Sequence, residues 1–185
     1  MRKIILASAS PRRKELLKLL DIDFDIIVST CEEVFDEELS VYENLKNIAY
    51  SKAYDVFKDN GDNLVIGADT IVYLEGRVLL KPKDKDDARG MIKSLSGKTH
   101  SVISGISVIT KEKSLKTAVE TKVTFKELND EEIEGYINTN EPYDKAGGYA
   151  VQGIAGKFIS KIEGDYFNVV GLSISTLYDM LKEFR

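Results

Sequence analysis

The chain begins with a short apolar run, Ile4 to Ala7. This passes through Ser8-Ala9-Ser10 into Pro11-Arg12-Arg13-Lys14-Glu15-Leu16-Leu17. Ser10 is a good N-cap, and Pro11 suits the first helical position because the N–H it lacks would be unpaired there. The spacing therefore predicts a strand running straight into a helix that starts at Pro11 and packs Leu16, Leu17 and Leu20 inward. Asp23 to Val28 follows as a second strand, which makes a strand-helix-strand unit. Arg12, Arg13 and Lys14 put three cations in the first turn, at the end where free N–H groups and the helix dipole are already positive. Such a mouth either waits for an anion such as a phosphate chain or lets its side chains fan into water. The Ser8 hydroxyl, between strand and helix, sits where such a pocket would be lined.

The 185 residues fit one domain, with room for two lobes and a real core. No stretch approaches the ~18 apolar residues of a membrane helix, and Lys3 precedes too few apolar residues for a secretory signal, so a cytoplasmic location is expected. One cysteine, Cys31, and one histidine, His100, leave no internal disulfide and no cluster of nitrogen and sulfur ligands, so any metal must be held by oxygen. The net charge of -5 argues against nucleic acid as a partner and leaves room for a local basic cleft facing a small anion.

Further along, Ser29 to Leu39 carries five carboxylates without regular pattern and reads as a solvated loop. From Ser40, Leu45, Ile48, Ala49, Ala53, Val56 and Phe57 recur at helical spacing up to Asn60-Gly61. Lys52 lies beside that stripe, where it either snorkels to water or meets a ligand. Leu64 to Leu74 is the strongest strand, turning at Glu75-Gly76 into Val78 to Leu80. It contains Asp69, a carboxylate among apolar neighbours that either marks a turn or faces a polar cleft, where it would serve as general base or metal ligand. A helix from Asp84 to Leu95, a strand pair at Val102 to Ile109 and Thr117 to Phe125, and a short acidic helix to Ile137 follow. Glu141 to Gly156 is rich in glycine and ionisable groups, a composition suited to tight backbone against a ligand. Phe158 to Ile162 reads as a strand, Gly164-Asp165 as a turn and Leu172 to Phe184 as a final helix.

Taken together, Leu6 to Leu17, Gly67 to Val72 (GADTIV), Lys81-Pro82 with Asp86 to Gly97, Glu141 to Gly153 (EPYDKAGGYAVQG) and Asn168 to Leu172 resemble the Maf family of nucleoside triphosphate pyrophosphatases, also named septum-formation inhibitors. Each motif alone is weak, but their order and spacing together are specific. The resemblance implies an α/β fold, a mixed sheet with flanking helices and two lobes around a central cleft, similar to inosine triphosphate pyrophosphatases. It also implies hydrolysis of a nucleoside triphosphate to monophosphate and pyrophosphate with a divalent cation, Mg²⁺ or Mn²⁺, and a homodimer. On the matching positions, Asp69 becomes the proton acceptor, and Ser8, Arg13, Lys52 and Lys81 line the phosphates. Glu33 becomes an acidic cleft residue and, with Asp69, a metal ligand, with Glu32 as the neighbouring candidate. Arg12, Thr70 and Gln152 resemble the branch that prefers dTTP and UTP. Two departures stand out: Ser173 where members often have proline, and Ser104-Gly105-Ile106 where threonine-glycine-valine is commoner. Rival readings are a nucleotide-binding regulator of cell division without turnover, and a pyrophosphatase for noncanonical or modified nucleotides.

Overall fold

The computed structural model describes residues 2–184. Its sheet has seven strands in the order β2-β1-β3-β5-β6-β7, with β4 paired to β3. β1 (Ile4–Leu6) lies parallel to both β2 (Phe24–Ile26) and β3 (Leu64–Leu74), matching Ile4 to Phe24 on one side and to Leu64 on the other. β3 makes an antiparallel hairpin with β4 (Arg77–Leu79). β5 (Thr99–Ile109) and β6 (Ser114–Phe125) are neighbours joined at Thr110 to Lys113. The contacts Thr99–Thr124 and Ser107–Leu115 run in opposite order along these two strands, so this pair is antiparallel as expected. β7 (Ile159–Glu163) closes the order antiparallel to β6. The sheet is mixed, with flanking helices, as anticipated.

The chain divides into two compact units. The first holds residues 1–70, 104–119 and 171–185, and the second 71–103 and 120–170. In the first, α1 (Pro11–Lys18) begins where proline and its cap place it: Ser10 Oγ accepts from Arg13 N at 3.4 Å. α2 (Val41–Phe57) lays Ala53 and Val56 on Ile5, Ala7, Val65 and Ile109. Its approach to the strands is close, because a Cβ on Gly67 would stand 2.2 Å from Ala49 O and one on Gly105 2.1 Å from Leu45 O. Glycine at these two positions lets the helix backbone lie against β3 and β5. In the second unit, α3 (Lys85–Leu95) and α4 (Asp130–Ile137) enclose a core of Val72, Ile92, Leu95, Phe125, Tyr136 and Phe158. Asn129 and Glu132 cap α4 reciprocally.

Two local expectations change, and the glycine-rich stretch takes a definite form. The second strand is shorter than Asp23 to Val28, since Ile27 and Val28 beyond its end are exposed at the sheet edge, where long strands are disfavoured. The stretch from Glu141 folds as three short 3-10 turns, Pro142–Asp144, Ala146–Gly148 and Ile154–Phe158. The last helix starts later, at α6 (Ile174–Lys182), after a separate turn of helix α5 (Tyr166–Val170). Gly171, at φ 133°, separates them, and buried Ser173 caps α6 by accepting from Thr176 N. Serine at 173 thus supplies the cap that proline could not. Among the described residues no helix is long and apolar enough to cross a membrane.

Candidate active site

Side chains alternate along a strand, so Gly67 and Asp69 of β3 share a face. Gly67 admits the backbone of α2, and two residues later Asp69 meets the side chain that α2 presents there. Lys52 Nζ donates to Asp69 Oδ1 at 2.6 Å and to Glu33 Oε1 at 2.5 Å. The lysine and Asp69 are largely buried, with side chains 14% and 10% exposed, whereas Glu33 is 53% exposed. Glu33, rather than Glu32, is therefore the acid that faces this lysine. One ammonium bridges two carboxylates at the border of solvent. Of the alternatives left open by the sequence, Lys52 does not snorkel and Asp69 does not mark a turn.

Thr70, the next residue on β3, points the other way and meets α1. Arg13 donates from Nε to Gly171 O at 3.0 Å, from one terminal nitrogen to Ser8 Oγ at 3.2 Å and from the other to Thr70 Oγ1 at 3.1 Å. Ser8 Oγ also accepts from Ser10 N, and Thr70 Oγ1 lies 2.8 Å from Ser104 Oγ and 3.2 Å from Gly171 O. Burial draws the Arg13 guanidinium below its usual proton affinity. Asp69 and then Glu33 oppose that shift through their negative charge, and Arg12 adds to it. These charges tie the Arg13 group electrostatically to the Lys52 group. Arg13 is thus a half-buried cation at the mouth of α1, while Lys14 is exposed.

Ser8, Arg13 and Thr70 form one hydrogen-bonded group, and Glu33, Lys52 and Asp69 form another, all in the first unit. Arg12 stands half-buried in the first turn of α1. Lys81 and Gln152 belong to the second unit, and both are exposed there. Among the described residues no three of His, Cys, Asp and Glu gather as a metal cluster. Asp69 and Glu33 are nevertheless two hard oxygen donors, the donor type of a small divalent cation, and both are held by the Lys52 ammonium.

Sequence reading missed the residues that hold these groups. Ser104 and the Gly171 carbonyl fix Thr70, and the Glu141 carboxylate accepts from Ile154 N at 2.7 Å and Ala155 N at 3.1 Å, just past Gln152. Asn44 and Asp55 of α2 were also passed over, although each carries a signal. Asparagine inside a helix forgoes propensity, and an acid in the last helical turn opposes the dipole.

An α/β protein with a buried carboxylate, a bridging lysine and a half-buried arginine at a helix mouth is thereby defined. The chain belongs to the Maf-like protein family, whose model matches residues 3–184. It is 49% identical over 184 residues to a dTTP/UTP pyrophosphatase of Bacillus cereus, covering 100% of this chain and 96% of the relative. It is 50% identical over 185 residues to a dTTP/UTP pyrophosphatase of Bacillus anthracis, covering 100% of this chain and 97% of that one. A solved HAM1 protein from Coxiella burnetii shares the fold at a TM-score of 0.53 and 18% identity, covering 99% of this chain and 100% of that chain.

Proposed function

We propose that this chain is a nucleoside triphosphate pyrophosphatase that cleaves dTTP and UTP between the alpha and beta phosphates, releasing the nucleoside monophosphate and pyrophosphate. The relatives that are about half identical over its full length carry that activity in their names. The observation that carries the reading is the buried Asp69, fixed through Oδ1 by Lys52 and acting electrostatically on Arg13.

The chemistry needs a water aligned on the alpha phosphorus, a base for its proton and charge compensation on the departing pyrophosphate. Lys52 orients the Asp69 carboxylate, and Asp69 takes the water proton through its other oxygen as the new oxygen–phosphorus bond forms. The bond from the alpha phosphorus to the bridging oxygen breaks, and the negative charge passes to pyrophosphate. Arg12, Arg13, Lys52 and Lys81 are the cations assigned to the phosphates, each charge-assisted hydrogen bond being worth ~1.5–3 kcal/mol in good geometry. Mg²⁺ or Mn²⁺ would be held by Asp69 and Glu33, and when bound it would neutralise phosphate charge. Gln152, exposed beside Gly153, offers an amide donor and acceptor to a pyrimidine edge.

The test is turnover of a panel of nucleoside triphosphates with Mg²⁺, separating pyrophosphate from orthophosphate, with Asp69→Asn alongside. Pyrophosphate release should be confined mainly to dTTP and UTP. The variant should keep its thermal midpoint and lose ~10²–10⁴ in kcat, the usual contribution of a positioned base. Near-normal turnover by Asp69→Asn would remove it from this role. No turnover of any nucleotide by folded protein would leave a binding function in its place.

A further inference from the structure

Glu33 sits on the Ser29 to Leu39 loop between β2 and α2, which forms neither helix nor strand. Such a loop would ordinarily let an exposed glutamate wander. Here it is tied to α2 at both ends. At its start, Asp55 Oδ2 accepts from Ser29 Oγ at 2.9 Å and from Thr30 N at 2.8 Å. At its end, Asn44, only 3% exposed, closes a two-way bond with Asp36: its Oδ1 accepts from Asp36 N at 2.7 Å, and its Nδ2 donates to Asp36 O at 2.8 Å. The same Nδ2 reaches Leu39 O and Ser40 O at 3.2 Å.

The spacing makes the loop a strap. Asn44 and Asp55 are eleven residues apart, three helical turns, so they lie on one face of α2 about 16 Å from each other along the axis. The six peptide steps from Thr30 to Asp36 span at most about 20–22 Å when fully extended, so little slack is left between the ties. Glu33 is the midpoint of that segment, and it is there that Lys52, on the same helix, receives it. The lysine that fixes Asp69 and the two residues that stretch the strap thus come from one rigid element. Ionisation of Asp55 is favoured first by its hydrogen bond with Lys58 and then by those from Thr30 and Ser29.

We infer that Asn44 and Asp55 are positioning residues for the reaction: they hold the Glu33 strap taut across α2 so that Glu33 reaches the Lys52–Asp69 pair. The inference rests on the pyrophosphatase reading for its catalytic consequence, but not for the geometry of the strap.

Two readouts test it. In hydrogen exchange on the whole chain, Asn44→Ala and Asp55→Ala should each speed exchange across residues 29–39 while the interior amides of α2 stay protected. In kinetics with dTTP, each should lower kcat/KM by about 10- to 100-fold, the range expected when a reacting group is displaced by roughly an ångström. Asp55→Asn, which keeps an acceptor oxygen, should recover most of it. The decisive comparison is a cycle with Glu33→Ala: if the ties act through Glu33, adding Asn44→Ala or Asp55→Ala to that variant costs no further activity. Multiplying losses, undiminished kcat/KM in Glu33→Ala, or unchanged exchange in the strap would each overturn the inference. If Asn44→Ala fails to fold, Asp55→Ala at the more exposed end decides it. Wild-type protein without turnover would defeat the pyrophosphatase reading, while exchange would still judge whether the strap is tied.

Discussion

The Arg13 guanidinium donates to a strand end, to β3 and to the Gly171 carbonyl at once. A planar fork can satisfy these directions together, whereas a lysine ammonium on a flexible stem meets one or two of them. Arg13→Lys keeps the charge and removes the fork. It should lower stability by about 1.5–3 kcal/mol, the range for hydrogen bonds made by a charged group, and raise KM for dTTP, read by thermal melting and initial rates. An unchanged melt and KM would mean that charge alone suffices. At this scale the sequence was legible where chemistry sits oddly in its surroundings. Asp69 stood out as a carboxylate in an apolar strand, and Arg13 as a cation at a positive helix end. The role of Ser104 gave no comparable sign, because its partner Thr70, 34 positions away, is brought close only by the fold.

Among elements, the turn past Gln152 depends on one side chain. Glu141 gives its two oxygens to Ile154 N and Ala155 N, and Tyr136 Oη lies 3.1 Å from Oε1. Gly153 makes room, since a Cβ there would stand 2.2 Å from Glu141 Oε2. Glu141→Ala should destabilise by about 1.5–3 kcal/mol, as for hydrogen bonds to a charged group. It should also speed exchange at the 154 and 155 amides and raise KM for dTTP more than it lowers kcat. Loss of kcat alone would place Glu141 in the chemistry instead. Element existence followed well from periodicity and caps: α1, α2, β3 and the β3–β4 turn are where their sequences put them. Glu75 and Gly76 adopt positive φ at that turn. The Glu141 to Gly156 stretch could not be resolved the same way, because its turns are fixed by contacts to Tyr136, Leu80 and Val72 rather than by any repeating pattern. The final helix was misplaced at its start because Leu172 fits an apolar stripe, while the cap that ends the irregular stretch is a serine one residue later.

For the molecule as a whole, acid should act through the second unit. His100 is buried there, with Nε2 2.6 Å from Tyr149 Oη and Phe125 edge-on to its ring, and Nδ1 has no partner among the described residues. Burial pushes its pKa down to about 4. Above the unfolded value of about 6.5 both states are neutral and the residue has no effect on stability. Between about 6.5 and 4 the unfolded chain takes a proton that the folded chain refuses, so stability falls with pH, by about 3 kcal/mol once the fall is complete. Denaturant melts of wild type and His100→Gln across this range should diverge, the variant losing less. Parallel curves would mean that the ring charges without cost.

The first unit carries a different dependency. Two absent methyl groups, at Gly67 and Gly105, set the gap between α2 and the strands. That gap decides whether the Lys52 ammonium arrives at Asp69. For anyone reshaping this protein toward another nucleobase, exposed turns are the adjustable parts and these two seats are the fixed spacing. A redesign that preserved every polar group but filled either seat would keep the full inventory of functional groups and lose their reach.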